Sequence, residues 1–311
     1  MTVDVAEILV EGPWRHRFVA ANGARFHVAE AGSGPLVLLL HGFPEFWWAW
    51  RAQLVALAEA GYHAVAMDLR GYGASDKPPR GYDTPTSASD VAGVVRALGA
   101  QQATIVGHDW GAFIAWSMPT LQPRVTQAIG VLAMAHPLTL RTSLLTPRQR
   151  RAAGRLLAFQ TPMAPERSMG DKDGVAKVLH SWGGPGWPDA ESERRYTQAM
   201  KVPFVAHTSM EYYRWAVRSV MRTDGRRFSA AVRDPVQVPV LQIHGGLDPW
   251  VLPETAALSS SRVEGPLRFE LLPTVGHFLP EEAPSQVTAI LLDWLGSVRP
   301  VRPRPVSSSG R

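Results

Sequence analysis

Polar and apolar positions alternate along Arg15–Ala20 and again along Arg25–Ala31, the period of half-buried strands. The intervening Asn22-Gly23 is the strongest short hairpin signal. After a break at Gly32-Ser33-Gly34-Pro35 the pattern changes. Leu36–Leu40 is wholly apolar, Tyr62–Met67, Ala103–Val106 and Thr126–Ala133 are mainly so, and Val238–Ile243 and Leu267–Leu272 read as two further strands. Such segments suit strands covered on both faces, as in a parallel sheet. Helical stretches separate them: an aromatic one with Trp47, Trp48 and Trp50, then Ser87–Leu98, then a run from Gly111 to Trp116. Strands alternating with helices predict an α/β fold with a mostly parallel sheet flanked by helices.

Pro137–Pro235 breaks this rhythm. It carries no strand pattern, is rich in Arg, Trp and Tyr, and is interrupted by Gly183-Gly184-Pro185-Gly186. It reads as a helical cap inserted between two sheet strands, over the sheet's carboxyl edge. The expected division is a core of 1–136 and 236–299, a cap of 137–235, and a Pro-, Arg- and Ser-rich tail, 300–311, expected to be disordered.

Composition narrows the chemistry. The 311 residues contain no cysteine, which removes disulfides, thiol nucleophiles and zinc-thiolate sites. The net charge of +5 is nearly all arginine, with lysine only at Lys77, Lys172, Lys177 and Lys201. Apart from Arg148, Arg150 and Arg151 the arginines are scattered, with no nucleic-acid module, so a solvated basic surface is expected. No apolar run reaches membrane-spanning length, and Met1–Val10 lacks the basic start and apolar core of a signal peptide. A cytoplasmic chain, monomer or homodimer, is expected, with neither a nucleic-acid nor a membrane partner.

Ala103–Trp116 carries the chemistry. Gly107-His108-Asp109-Trp110-Gly111 joins the strand to the helix, and glycines flank the central residue as in a nucleophile elbow. Here that residue is an aspartate. A carboxylate, with an ordinary pKa of about 3.9, needs no prior deprotonation. It displaces leaving groups from saturated carbon well and attacks esters and amides poorly, which points to epoxides or alkyl halides. The competing reading is a helix N-cap, a common place for aspartate.

Two loops complete the pattern. Val238–Ile243 leads to His244-Gly245-Gly246-Leu247-Asp248-Pro249, and Leu267–Leu272 leads to Pro273-Thr274-Val275-Gly276-His277. Nucleophile, acid, histidine is the order of an α/β-hydrolase triad. Asp248 before Pro249 also suits an Asx-turn, and His277 also suits an ordinary loop position. The loop after Thr126–Ala133 holds no carboxylate, leaving Asp248 as the acid.

His41-Gly42-Phe43-Pro44-Glu45, Asp68-Leu69-Arg70-Gly71-Tyr72-Gly73-Ala74-Ser75, the elbow and these two loops together resemble the epoxide hydrolases of the α/β-hydrolase superfamily. The resemblance covers nearly all of the chain before the tail. It implies an α/β-hydrolase fold, Asp109 as nucleophile, His277 as base and Asp248 as its orienting acid. It also implies an oxyanion hole from the backbone N–H groups of Phe43 and Trp110, a cis Phe43–Pro44 peptide, and no cofactor or metal. The substrate would be a small apolar epoxide, opened to a vicinal diol.

In this family two cap tyrosines hold the epoxide oxygen. Glu211-Tyr212-Tyr213-Arg214-Trp215 is similar to the second tyrosine's motif and makes Tyr213 the donor. The first motif is similar to Arg155-Leu156-Leu157-Ala158-Phe159-Gln160, where Arg155 stands near the expected tyrosine; either Tyr212 or a water substitutes, or the substrate differs. Tyr212, Phe159 and Trp182 are expected to bind substrate, with Trp187, Phe204 and Trp215 lining or supporting the apolar pocket. Asp68 and Arg70 read as a structural turn, and His41 and His108 as backbone-holding side chains. A haloalkane dehalogenase shares the Asp nucleophile, but Phe43 offers no side-chain N–H for a halide. A fluoroacetate dehalogenase would want an arginine where Trp110 sits. A non-catalytic ligand-binding protein of the same fold is the alternative outside enzymes.

Overall fold

The computed structural model describes residues 3–298; the expected tail, 300–311, lies outside the described residues. Its centre is an eight-stranded sheet of order β1-β2-β4-β3-β5-β6-β7-β8. The strands are β1 (Arg15–Ala21), β2 (Ala24–Ala31), β3 (Leu36–Leu40), β4 (His63–Met67), β5 (Ala103–His108), β6 (Thr126–Leu132), β7 (Val240–Gly245) and β8 (Leu267–Leu272). The β1–β2 and β2–β4 pairs are antiparallel and the rest parallel. Asn22 and Gly23 both take positive φ, 45° and 73°, as the tight hairpin of β1 and β2 requires. The wholly apolar β3 is buried throughout, while β8, at the sheet edge, is partly exposed along its length.

Helices cover both faces: α1 (Arg51–Glu59), α2 (Thr84–Ala97), α3 (Trp110–Leu121) and, late in the chain, α12 (Pro253–Ala257), α13 (Leu279–Glu282) and α14 (Pro284–Ser297). The tryptophan segment Trp47–Trp50 is a buried 3-10 turn leading into α1. The start of α2 falls three residues before the expected Ser87, because the Asp83 side chain caps it and Pro85 suits its first turn. Between β6 and β7 run α4 (Pro137–Ser143), α5 (Pro147–Ala152), α6 (Arg155–Ala158), α7 (Ala164–Gly170), α8 (Lys172–Trp182), α9 (Ala190–Met200), α10 (Val205–Arg218) and α11 (Thr223–Ala231). Helix α10 docks on the loop after β4. There Thr208 Oγ1 donates to the Gly71 carbonyl at 2.6 Å and Tyr212 donates to the Arg70 carbonyl at 2.8 Å. Among the described residues no helix is long and apolar enough to cross a membrane.

The loops at the carboxyl ends of β3, β4, β5, β7 and β8 all face this helical segment, the usual place for a site in a parallel sheet. Asp68 ties two of them together. Its carboxylate accepts the N–H groups of Trp47 and Ala74 at 2.8 and 2.9 Å and meets His27 Nδ1 at 2.8 Å. Arg70 grips Asp90 with two bonds, of 2.7 and 2.6 Å. Both residues serve the turn.

Candidate active site

Asp109 sits between β5 and α3 with φ 48° and ψ −114°, a conformation a non-glycine residue holds only when its surroundings enforce it. The flanking glycines explain how. A Cβ on Gly107 would lie 2.1 Å from the Gly111 backbone, and one on Gly111 would lie 2.1 Å from the Leu40 carbonyl oxygen. Strand, elbow and helix therefore pack at backbone contact. The carboxylate makes no capping bond to α3. Instead Oδ2 accepts the Phe43 N–H at 2.9 Å, while Oδ1 faces His277 Nε2 at 3.6 Å. The N-cap reading is thereby displaced: this carboxylate is turned toward the loops.

His277 is fully buried, and its Nδ1 meets Asp248 Oδ2 at 2.9 Å. The other Asp248 oxygen accepts the N–H groups of Trp250 and Val251 at 2.8 and 3.1 Å. The Asx-turn and the acid are one residue with two oxygens. Burial alone would lower the His277 pKa, but the Asp248 and Asp109 charges outweigh it and raise it to about 10. Burial likewise opposes the Asp248 charge, and His277 overcomes it, holding that carboxyl below its ordinary range. His277 thus stands between two acidic side chains, Asp248 at 2.9 Å and Asp109 at 3.6 Å.

Phe43 and Trp110 flank the carboxylate from two loops. The Phe43–Pro44 peptide is cis, as is Trp187–Pro188. Trp110 is the first residue of α3, where a backbone N–H has no acceptor within the helix. Tyr213 lies over them, fully buried, its ring 5.4 Å from Phe43, 5.1 Å from Trp110 and 4.8 Å from Phe159. Its hydroxyl has no hydrogen-bond partner. Burial and then the Asp109 charge push the phenol well above its ordinary pKa, so it keeps its proton and stays a donor. Trp182 packs its ring 5.3 Å from His277 and 6.1 Å from Phe43.

Phe204 and Trp215 lie apart from these residues, and Tyr212 reaches them only through its ring, 5.6 Å from that of Trp110. The Tyr212 hydroxyl is spent on the Arg70 carbonyl at 2.8 Å, and its ring is wedged among Tyr72, Tyr82 and Trp110. Phe204 is 72% exposed at the start of α10. Trp215, two residues and so about 200° around the helix from Tyr213, packs instead on Phe228 and donates to Asp224. Trp187 supports the wall from behind, its ring 4.4 Å from Phe278.

His41 and His108 hold backbone, as their positions suggest. His41 donates to the Gly42 carbonyl at 2.8 Å and accepts the Leu69 N–H at 3.1 Å. His108 meets Glu45 Oε2 at 2.8 Å and donates to the His277 carbonyl at 2.7 Å. The sequence gives no hint of three further polar groups packed around these loops. The Tyr72 hydroxyl has no partner, and burial pushes its pKa well up. Glu281 pairs with Arg51 and accepts the Ser192 hydroxyl at 3.3 Å from α9; burial, only partly offset by Arg51, carries its pKa to about 7. Glu282 is the third. Among the described residues no group of three or more His, Asp or Glu side chains could hold a metal ion.

Residues 35–284 match the model of the α/β-hydrolase fold family. The chain is 32% identical to epoxide hydrolase A of Mycobacterium tuberculosis over an alignment of 318 positions, covering 90% of this chain and 96% of that protein. It is 31% identical to the AB hydrolase superfamily protein YfhM of Bacillus subtilis, covering 90% and 97%. Among solved structures, an epoxide hydrolase from an endophytic Streptomyces superposes with a TM-score of 0.80 at 30% identity, over 93% of this chain and 97% of the other. The chain belongs to the α/β-hydrolase superfamily. Within it, the chain falls in the group that holds the epoxide hydrolases.

Proposed function

We propose that this protein opens an apolar epoxide to a vicinal diol through an ester on Asp109. The observation that carries the reading is the Asp109 carboxylate itself. It is held on the strained elbow with one oxygen on the Phe43 N–H at 2.9 Å and the other turned to His277 at 3.6 Å. The named relatives are similar across nearly the whole chain, which supports the same reading.

Asp109 attacks the less hindered epoxide carbon from behind, forming the C–O bond of the ester as the ring C–O bond breaks. Tyr213 gives its proton to the departing oxygen. Attack consumes the Asp109 charge, one of the two anions that keep His277 protonated, so His277 releases a proton that restores the Tyr213 phenol. The neutral imidazole, oriented by Asp248, then takes a proton from water as that water adds to the ester carbonyl. The N–H groups of Phe43 and Trp110 hold the oxyanion, each such donor being worth about 3–4 kcal/mol. Collapse expels the diol oxygen, protonated by His277, and the Asp109 carboxyl returns its own proton to the imidazole.

A halide-releasing reaction is the second reading, because the Trp110 indole N–H is buried without a partner. Phe43 supplies no second side-chain donor, which places it behind. A panel of epoxides and chloroalkanes assayed for diol and for halide separates the two. Diol from styrene oxide is expected; halide release without diol reverses the order, and neither product leaves the non-catalytic alternative.

A further inference from the structure

The catalytic carboxylate is held by strain and the acid by its turn, but the base lies on a loop, and what fixes that loop lies partly in the cap. The three consecutive N–H groups around the imidazole are all bound. Gly276 donates to Glu282 Oε2 at 2.7 Å, Phe278 donates to Glu282 Oε1 at 2.8 Å, and His277 donates to the Trp182 carbonyl at 3.0 Å. Glu282 Oε2 accepts one more donor, the Gly184 N–H, at 2.9 Å. Gly184 follows α8 in the cap and stands 98 residues away from Glu282 in the chain.

This approach needs the glycines. A Cβ on Gly276 would lie 2.3 Å from Gly184 N, and one on Gly184 would lie 2.6 Å from Glu282 Oε2 and 2.9 Å from Gly276 N. The Gly183–Gly186 break is therefore a place where cap backbone meets the backbone of the base loop.

We propose that Glu282 is a positioning residue for the base: its carboxylate clasps the N–H groups on either side of His277 to Gly184 of the cap, so that seating of the cap sets the imidazole for water activation. The inference rests on the Asp109–His277 reading. In that reading His277 acts as a base only on the ester, so the clasp governs ester hydrolysis and leaves ester formation largely alone. A displacement on the order of 1 Å at a reacting group slows a step by about a hundredfold, so a partial loosening is expected to show as tenfold or more.

The test mixes styrene oxide with the full-length enzyme and follows the intact mass after rapid quenching. Variants are Glu282→Ala, Glu282→Gln and Gly184→Ala, with His277→Gln as control. In Glu282→Ala, ester formation is expected within about threefold of the unaltered enzyme and ester decay slowed about tenfold or more, so that adduct accumulates. Glu282→Gln keeps one oxygen for Gly184 and Gly276 but sets an NH2 against the Phe278 N–H, so its slowing is expected to be smaller. Gly184→Ala leaves the carboxylate in place and forces the clasp apart from the cap side, giving the same accumulation even where Glu282→Ala fails to fold. Equal slowing of both steps, or a drop in melting temperature with both steps unchanged, overturns the proposal. Adduct in His277→Gln with none in the other variants overturns it alone; no adduct in His277→Gln overturns the Asp109–His277 reading together with it.

Discussion

His277 Nε2 lies 3.6 Å from Asp109 Oδ1, and neither atom has a hydrogen-bond partner. The two are joined by charge more than by a bond. In the proposed mechanism this leaves the carboxylate oxygen free to attack and the imidazole free to turn to water once the charge is gone.

The pairing gives stability a pH dependence. The folded-state pKa of His277, about 10, lies above the unfolded value near 6.5, so its contribution is fully present below pH 6.5 and lost as pH rises through 10. Urea unfolding midpoints should fall over that window, and the fall should shrink in Asp109→Asn, which removes one of the two anions. Glu281 has the same sign at lower pH: raised by burial from 4.5 to about 7, it stabilises fully below 4.5 and loses that contribution through 7. Glu281→Gln should flatten this lower window and leave the upper one.

Adjacent tyrosines on α10 should behave in opposite ways. The Tyr213 hydroxyl has no partner to lose, so Tyr213→Phe should leave unfolding stability unchanged or slightly raised. Loss of the proton donor should slow ester formation by about a hundredfold or more, read by stopped-flow with an epoxide in excess.

Tyr212→Phe removes a buried bond to the Arg70 carbonyl and should cost about 1 kcal/mol of stability by urea unfolding. Ester formation should stay within a few-fold of the unaltered enzyme, because that hydroxyl faces the loop after β4.

Gly107→Ala tests the elbow. The added Cβ would stand 2.1 Å from the Gly111 backbone, which cannot yield as a flexible side-chain end would. A loss of about 3 kcal/mol or more, or failure to accumulate folded protein, is expected in a thermal melt. Gly61→Ala, where a Cβ meets nothing within 4 Å, is the comparison for the cost of positive φ alone.

Much of this molecule is legible in its pattern. Asn22-Gly23 specified the hairpin, and the uninterrupted apolar run Leu36–Leu40 marked a buried strand, because each depends on neighbours in sequence. Asp83-Thr84-Pro85 held the true start of α2 in plain view. The aromatics in and beside α10 were harder. Tyr212, Tyr213 and Trp215 are alike in composition, and only the phase in which α10 docks decides that Tyr213 faces Asp109. Phe204 looked like a pocket wall and lies in solvent. Least legible were the carboxylates that hold loops. The partners of Glu282 are backbone N–H groups, and no side-chain pattern records which backbone will pass within reach.

The central claim is that a carboxylate of the chain, and not water, makes the first bond to the substrate. With enzyme in excess over styrene oxide in heavy-oxygen water, the first turnover should place the heavy oxygen in the Asp109 carboxyl and leave the diol unlabelled. Heavy oxygen in the first-turnover diol, with none in the peptide that contains Asp109, would contradict the account.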